Sequence, residues 1–147
     1  MPVSFVDLAH TCAPVVAAET LAGVVSLESR FAPLNIRINS GRPLKQPPST
    51  KAEAIEIATS LAAEQHDIQL GLGGIGVEDI QKLKLSITDA FDPCLNLQAT
   101  ATLLDAYYRR AVDVDVDPAS AERLMLTSWY GQGDPSIGEL VKYDEQV

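Results

Sequence analysis

The sequence predicts a mainly α-helical globule with at most a small β-like or irregular segment. Three Asp-Pro pairs, Asp92-Pro93, Asp117-Pro118 and Asp134-Pro135, each offer an N-cap followed by a residue suited to the first helical position. Thr50 and Glu53 have the spacing of a capping box. Apolar residues recur at helical spacing behind these starts. Neither an internal repeat nor a heptad seam is present, which favours a compact helical domain.

The first half of the chain is predicted to hold three helices and one long connection. A short apolar turn or helix covers residues 3–10, and a second helix begins at Pro14 and runs to about Ser29. Residues 33–49 contain four prolines and one glycine, which predict an irregular connection. A helix over residues 51–65 then places four apolar side chains on one face: Ala54, Ile57, Ala58 and Leu61.

The second half is predicted to begin with a glycine-rich loop and to continue as helices. The loop covers residues 67–76, with a short extended piece at Ile68-Gln69-Leu70. A short helix follows from Asp79 to Leu83. The three Asp-Pro pairs then open helices over residues 93–112, 118–130 and 135–146.

Composition and charge exclude several classes of function. At 147 residues with 46% hydrophobic residues, the chain is long enough to form one domain over residues 1–147 with a buried core. The net charge of −9 argues against nucleic acid and against anionic membrane surfaces, since phosphate binding needs a basic face. Apolar runs fall well short of the roughly 20 residues that span a bilayer, so membrane insertion is not predicted.

The run Gly71-Leu72-Gly73-Gly74-Ile75-Gly76 matches the dinucleotide pattern G-x-G-x-x-G. The preceding helix and the missing parallel-strand pattern argue against nucleotide binding. A sharply bending loop is one alternative, and backbone lying close to a ligand is another. His10 and His66 lie in unrelated settings. No metal and no cofactor are therefore predicted.

The two cysteines, Cys12 and Cys94, each lie close to a proline. They are either two buried thiols of a cytosolic protein or a disulfide of an exported one, and their spacing does not decide between these. The segment Met1–Phe5 has no basic stretch followed by a long apolar run, so no export signal is predicted within this chain.

Glu28 is the candidate catalytic acid. Glutamate is a good helix former, and most glutamates are simply solvated. Here Val24, Val25 and Leu27 precede it, and Phe31 follows. Such neighbours predict partial desolvation, which holds the proton on the carboxyl group and suits it to general-acid catalysis.

Several segments, in order, resemble the lysozyme-like lytic transglycosylases. Leu27-Glu28-Ser29-x-Phe31-x-Pro33 resembles their Glu-Ser-x-Phe-x-Pro signature. Residues 70–76 fall where that family has Gly-Leu-x-Gln-Ile-Asn, and Tyr130-Gly131-Gln132-Gly133 resembles its Tyr-Asn-x-Gly block. The likeness is nearest to the transglycosylase subunit of type IV secretion systems. It extends to the segments around Cys12, Gln46-Pro47-x-Ser49, Phe91–Leu97 and Tyr108-Arg109-Arg110.

The resemblance implies a lysozyme-like domain, of the soluble lytic transglycosylase type, that acts on peptidoglycan glycan strands. Glu28 would protonate the oxygen joining N-acetylmuramic acid to N-acetylglucosamine, with help from the substrate's acetamido group. It would then take a proton from the muramoyl 6-hydroxyl, and ring closure would give a 1,6-anhydro sugar. A second catalytic carboxylate is then not required. The resemblance also implies a periplasmic location after removal of an export signal, secretion-apparatus subunits as partners, and a Cys12–Cys94 disulfide.

The resemblance further implies a set of substrate-binding residues: Ser29, Leu70, Gly71, Gly74, Ile75 and Tyr130. Glycine stands at positions 74, 76 and 131, where the family has Gln, Asn and Asn. Tyr143 and Asn35 are candidate replacements for the missing polar groups. The glycines also keep an alternative open, a catalytically weak or inactive module that binds peptidoglycan or serves as a scaffold of the secretion apparatus.

Overall fold

The computed structural model describes residues 4–114 and 117–147. Within these ranges the chain forms nine helices and three short strands. In chain order they are α1 (Phe5–Cys12), α2 (Ala18–Ser29), β1 (Ile36–Ile38), α3 (Lys51–Ala63), β2 (Ile68–Leu70), β3 (Ile75–Gly76), α4 (Val77–Lys82), α5 (Ile87–Ala90), α6 (Pro93–Val114), α7 (Pro118–Tyr130), α8 (Pro135–Leu140) and α9 (Tyr143–Gln146).

The predicted mainly α fold with a small β segment is confirmed. The aspartates before the prolines accept hydrogen bonds at the helix starts. Asp92 accepts one from the Leu95 amide, Asp117 from the Ala119 amide and Asp134 from the Ser136 amide. These caps satisfy donors that a helix cannot pair internally. No helix of the described ranges has both the length and the apolar character needed to cross a bilayer.

Several of the predicted boundaries were wrong, and one helix was missed. The first of the predicted helices extends to Cys12, and its predicted start at residue 3 lies outside the described residues. The second begins at Ala18 and not at Pro14, because residues 14–16 form a turn and Ala17 is extended. The predicted helix over 135–146 is broken at Lys142, whose φ of 56° is left-handed and incompatible with a continuous helix. A further short helix, α5, was missed although Ser86 and Asp89 form a full capping box before it.

The capping box predicted at Thr50 is half formed. The Thr50 hydroxyl accepts a hydrogen bond from the Glu53 amide at 3.1 Å, as predicted. The Glu53 carboxylate, however, accepts hydrogen bonds from the Ser49 hydroxyl and amide at 2.8 and 3.4 Å. The preceding serine therefore takes the place of the Thr50 amide as the reciprocal partner.

The three strands form one antiparallel sheet in the order β1-β2-β3. The prediction that residues 33–49 are wholly irregular was wrong at β1, and β3 was not predicted. Arg37 pairs with Gln69, and Gln69 pairs with Gly76 on the next strand. Because side chains alternate along a strand, Ile36, Ile68 and Leu70 enter the core while Arg37 and Gln69 share the opposite face.

Two hydrophobic clusters meet at α6. Leu97, Ala101 and Leu104 of α6 belong to a cluster with α1, α2, α7 and α9. Ala99 belongs to a second cluster with the sheet and helices α3 to α5. The Cys12–Cys94 disulfide that the resemblance implied is present and joins the end of α1 to the start of α6. Helix α6 thus packs against both clusters, one containing α2 and the other containing the sheet.

Candidate active site

A cleft of about 230 Å³ lies beside the outer face of the sheet. Its floor includes Glu28, Gly74 and Ile75. Further polar side chains line it: Arg37, Asn39, Gln69, Asp79 and Gln132. Aromatic side chains complete the wall: Tyr107, Trp129 and Tyr130. Polar groups beside aromatic rings are a lining that suits a sugar, which presents both hydroxyl groups and apolar ring faces.

Glu28 lies one residue before the end of α2, and only 7% of its side chain is exposed. Helix α2 ends because Arg30 and Phe31 adopt left-handed conformations, with φ values of 53° and 60°. Ser29, which directly follows Glu28, donates from its hydroxyl to the Leu72 carbonyl at 2.7 Å. This contact fixes the end of α2 against the glycine-rich loop and sets the position of Glu28.

Tyr143 and Arg37 both contact the carboxyl group of Glu28. The Tyr143 hydroxyl donates to Oε1 at 3.0 Å, and Arg37 Nη1 donates to Oε2 at 3.2 Å. Nη2 of Arg37 also contacts the Glu28 carbonyl at 3.3 Å. Tyr143 is buried, and its ring packs on that of Tyr130 with centroids 5.1 Å apart. Each carboxyl oxygen therefore has a partner from outside α2, Oε1 from α9 and Oε2 from β1.

Burial raises the pKa of Glu28 above its ordinary value of 4.5. The charge of Arg37 and hydrogen bonds from Tyr143, Trp129 and Arg37 act in the opposite direction, because they stabilise the carboxylate. Burial is the largest of these effects. Burial and the neighbouring Glu28 also raise the pKa of Tyr143, so its hydroxyl keeps its proton and remains a donor.

The buried side chain of Asn96 holds the glycine-rich loop in place through hydrogen bonds. Its side-chain nitrogen donates to the carbonyls of Leu70 and Ala90, at 3.1 and 2.8 Å. Its side-chain oxygen accepts from the Gly73 amide at 2.9 Å and from the Thr100 hydroxyl at 3.2 Å. Asn96 is 1% exposed, and its side chain makes four hydrogen bonds, so it holds the loop with no buried polar atom unpaired.

The three glycines that replace family residues differ in their surroundings. Gly74 has φ +62°, and a Cβ there would lie 2.9 Å from Glu28 Oε2. At Gly131 a Cβ would collide with the Asp134 carbonyl oxygen. At Gly76 the nearest atom would be the Ile68 carbonyl oxygen, 4.0 Å away. The backbone thus requires glycine at two positions, whereas the third has room for a side chain.

Comparison with curated proteins finds homologues named VirB1. Type IV secretion system protein virB1 of Brucella abortus biovar 1 (strain 9-941) is 40% identical over 110 residues, 75% of this chain and 46% of the Brucella protein. Protein virB1 of Agrobacterium fabrum (strain C58 / ATCC 33970) is 32% identical over 150 residues, 99% of this chain and 60% of that protein. The chain is a VirB1 homologue. It spans about half the length of the curated VirB1 relatives that it matches.

The VirB1 relationship confirms the resemblance to the type IV secretion subunit that the motifs indicated. Protein virB1 of Rhizobium radiobacter is 30% identical over 131 residues, which cover 88% of this chain and 53% of that protein. No family model matches the chain, and no solved structure matches it.

The structure brings only some of the predicted substrate-binding residues to the cleft of this VirB1 homologue. Gly74, Ile75 and Tyr130 line it. Ser29, Leu70 and Gly71 lie buried behind the cleft wall, where Ser29 and Gly71 make contacts within the protein. Tyr143, predicted as a replacement, contacts Glu28 from within the core. Asn35 lies in a neighbouring apolar groove, and its carbonyl accepts a hydrogen bond from the Gly71 amide.

Sequence reasoning missed Arg37 and Gln69, which face the cleft from adjacent strands. A signal was available, since Ile36-Arg37-Ile38 and Ile68-Gln69-Leu70 both read apolar-polar-apolar. Pairing these two segments would have placed both polar side chains on one face. Asn39, Asp79, Tyr107 and Trp129 were also missed and carried no comparable pattern.

Proposed function

We propose that this chain is a peptidoglycan lytic transglycosylase domain. It would cleave the linkage between N-acetylmuramic acid and N-acetylglucosamine, release a 1,6-anhydro product and so open the cell wall locally for assembly of a type IV secretion apparatus. The observation that carries the proposal is a buried glutamate with a raised pKa at the floor of a polar and aromatic cleft. That glutamate occupies the position of the acid in the Glu-Ser-x-Phe-x-Pro signature.

Glu28 would serve first as acid and then as base. Burial favours the protonated carboxyl group that must donate to the glycosidic oxygen. Once the proton has left, the Tyr143 hydroxyl and the Arg37 guanidinium stabilise the carboxylate. The carboxylate then accepts the proton of the muramoyl 6-hydroxyl as its oxygen closes onto the anomeric carbon. The proton balance is closed, because Glu28 ends the cycle protonated.

The relatives and the disulfide support the proposed cellular setting. Relatives named as type IV secretion system proteins support an association with that apparatus. The Cys12–Cys94 disulfide is in keeping with an oxidising compartment, for which we propose the periplasm. We treat residues 1–147 as one lysozyme-like domain, since α6 contributes side chains to both hydrophobic clusters.

Digestion of purified peptidoglycan tests this function. Mass spectrometry of the soluble products should find 1,6-anhydromuropeptides, and Glu28→Gln should lower their release by about 100-fold or more, the contribution of a general acid. Glu56→Gln, an exposed substitution of the same kind on α3, provides the matched control and should retain activity. Products with reducing ends would instead identify a hydrolase, and release that survives Glu28→Gln would remove Glu28 from its role.

A second candidate, a binding or scaffold module with little turnover, is favoured by two observations. Arg37 forms an ion pair with Glu28, and the family's polar residues are absent at positions 74, 76 and 131. The ion pair favours the carboxylate form, which cannot donate a proton, and each missing hydrogen bond weakens sugar binding by about 0.5–1.5 kcal/mol. Such a module would sediment with peptidoglycan but release no soluble fragments. Release that depends on Glu28 would count against it.

A further inference from the structure

Gln69 is a cleft residue whose hydrogen-bonding capacity the protein itself uses only in part. It is partly buried on β2 and lines the cleft. Its side-chain oxygen accepts a hydrogen bond from Arg37 Nη1 at 3.3 Å. Among the residues that the structure describes, none accepts a hydrogen bond from its side-chain nitrogen. This amide group therefore keeps two N–H donors for a ligand.

Arg37 fixes which end of the Gln69 amide is offered to a ligand. An arginine side chain carries N–H donors and no acceptor, so the amide atom that contacts it must be the oxygen. The nitrogen is thereby the end that is left to the cleft. Because the oxygen is already occupied, Gln69 acts there as a donor. The complementary ligand group is one that only accepts, such as a carbonyl oxygen, whereas a hydroxyl group both donates and accepts.

The sheet places open space beside this donor. Arg37, Gln69 and Gly76 are directly paired across β1, β2 and β3, and all three line the cleft. Side chains of directly paired residues lie on the same face, about 4.5–5.5 Å apart at Cβ. Gly76 has no side chain, and a Cβ there would find only the Ile68 carbonyl oxygen, at 4.0 Å. Room for a ligand group is thus present next to Gln69, on the side away from Arg37.

Gln69 also lies close to the candidate acid. Arg37 Nη1 contacts Gln69 Oε1 at 3.3 Å and Glu28 Oε2 at 3.2 Å, so a single nitrogen atom joins the two residues. A ligand group held by Gln69 would therefore belong to a sugar next to the bond that Glu28 would protonate. The other amide side chains of the cleft, Asn39 and Gln132, are exposed, and within the described ranges no hydrogen bond orients either of them.

We propose that the side-chain amide of Gln69 donates a hydrogen bond to the N-acetyl carbonyl oxygen of the N-acetylglucosamine next to the scissile bond, so that the cleft selects N-acetylated glycan strands. N-acetylmuramic acid carries the same group. In the proposed function, however, the muramoyl acetamido group assists at the reacting carbon, and a donor on its oxygen would oppose that assistance. The proposal rests on the proposed function, because it names the sugar group that the same cleft would recognise.

The experiment compares three tetrasaccharides of alternating N-acetylglucosamine and N-acetylmuramic acid by isothermal titration calorimetry. The first is fully N-acetylated. The second has a hydroxyl in place of the acetamido group of each N-acetylglucosamine, and the third has the same change on each N-acetylmuramic acid. All carry amidated lactyl groups, and sulfur replaces the scissile oxygen so that they resist cleavage. The second should bind about fivefold more weakly than the first, the effect of one neutral hydrogen bond, and the third should lose less.

Two substitutions at Gln69 separate donation to the ligand from contact with Arg37. Gln69→Glu keeps an oxygen for Arg37 but has no N–H donor when ionised, and Gln69→Leu has neither group. Both should remove the preference for the first tetrasaccharide over the second. Gln98→Leu, which replaces an exposed glutamine of α6 outside the cleft lining, should leave the preference unchanged. The comparison of ligands on the unaltered chain needs no variant, so a folding defect in either substitution would not obscure the result.

Three results on the unaltered chain would overturn the proposal: equal affinity for the first and second tetrasaccharides, an equal or larger loss with the third, or no detectable binding of the first. A preference that survives in Gln69→Glu would also overturn it, because Gln69 would then act only by holding Arg37. Failure of the proposed function is distinguishable from these. A chain with the Gln69-dependent preference that releases no anhydro product from peptidoglycan keeps this contact and loses the transglycosylase activity. A chain that releases anhydro product without the preference keeps the activity and loses the contact.

Discussion

The Tyr143 hydroxyl donates a 3.0 Å hydrogen bond to Glu28 Oε1, although the two residues are 115 positions apart in sequence. Tyr143 is the first residue of α9, and the left-handed Lys142 before it redirects the chain after α8. Tyr143 is only 3% exposed and lies in the same hydrophobic cluster as Val24 and Val25 of α2. The end of the described chain therefore supplies a donor to the base of the cleft.

Removing this donor should raise the pKa of Glu28. Tyr143→Phe keeps the ring that packs on Tyr130 but leaves the buried carboxylate with one partner fewer. Because the hydrogen bond from Tyr143 lowers the pKa of Glu28, its loss should move that pKa upward. Carbon-detected NMR titration of glutamate side-chain carboxyl groups, assigned with Glu28→Gln, measures the change.

The same substitution should destabilise the protein at neutral pH by about 1.5–3 kcal/mol, the contribution of a hydrogen bond to a charged group. Tyr108→Phe on α6 also removes one phenolic hydroxyl but does not touch Glu28, and it serves as the control in both measurements. An unchanged titration of Glu28 in Tyr143→Phe would show that the hydrogen bond does not operate in solution.

The raised pKa of Glu28 predicts a specific dependence of stability on pH. The native state binds the Glu28 proton more tightly than the unfolded chain, whose ordinary pKa is 4.5. The contribution of Glu28 to the free energy of unfolding is therefore complete below about pH 4.5 and is lost as the pH rises through the raised native value. Glu28→Gln carries no proton to lose and should gain stability relative to the unaltered chain over this range.

Urea denaturation of both proteins at a series of pH values measures this difference. Other titrating groups are common to the two chains, so their contributions cancel to first order. The opposite result would be a free energy of unfolding that rises with pH in the unaltered chain relative to Glu28→Gln. It would mean that the charge of Arg37 lowers the pKa of Glu28 by more than burial raises it, so that Glu28 is a carboxylate. That result would favour the binding module over the enzyme.

Gly74 and Gly76 should respond oppositely to substitution. Gly74→Ala places a side chain at φ +62° and brings its Cβ to 2.9 Å from Glu28 Oε2, so we expect a loss of about 1–2 kcal/mol and a displaced carboxyl group. Gly76 is the N-cap of α4 with φ −67°, and a Cβ there meets open space. Gly76→Asn should therefore be neutral or stabilise by a few tenths of a kcal/mol.

Thermal unfolding of the two variants, with peptidoglycan sedimentation as a second measurement, tests this contrast. Asparagine is also the residue that the lysozyme-like transglycosylases have at position 76. Because Gly76 lines the cleft, the amide of an asparagine there would lie at the cleft wall. We expect Gly76→Asn to increase retention on peptidoglycan. Equal destabilisation by both substitutions would contradict the difference in space between the two sites.

The helices were largely predictable because their signals are local. Asp117 and Asp134 cap helices through contacts within two residues, and such contacts can be inferred from neighbouring letters of the sequence. Glu28 was found in a similar way, from the apolar residues around it and the motif that contains it. Its burial confirms the expected desolvation, whereas its catalytic role stays a prediction.

The rest of the site depends on contacts between distant segments. Strands of two or three residues are too short for the alternation of apolar and polar residues to be recognised in the sequence. The prediction therefore lacked β1, which carries Arg37, and β3. Tyr143 was predicted as a replacement for missing polar groups, but its approach to Glu28 requires the break at Lys142. A left-handed lysine has no sequence signature, because the conformation is imposed by tertiary packing.

Asn96 is the residue on which the geometry of the glycine-rich loop should depend most. Asn96→Ala would leave the carbonyls of Leu70 and Ala90 and the amide of Gly73 without their buried partner. Each unsatisfied buried group costs about 1–3 kcal/mol, so we expect a loss of at least about 3 kcal/mol in urea denaturation. Gln98→Ala, an exposed amide on the same helix, is the matched control and should cost less than about 1 kcal/mol.

Asn96→Asp separates the hydrogen-bonding role of Asn96 from its role in filling space. Aspartate has nearly the same shape, but its ionised carboxylate would face the Leu70 and Ala90 carbonyls with an acceptor instead of a donor. We therefore expect Asn96→Asp to be at least as destabilising as Asn96→Ala at neutral pH and to recover as the pH falls and the carboxyl group regains a proton. Equal stability of Asn96→Asp and the unaltered chain at neutral pH would show that the loop is held by packing alone.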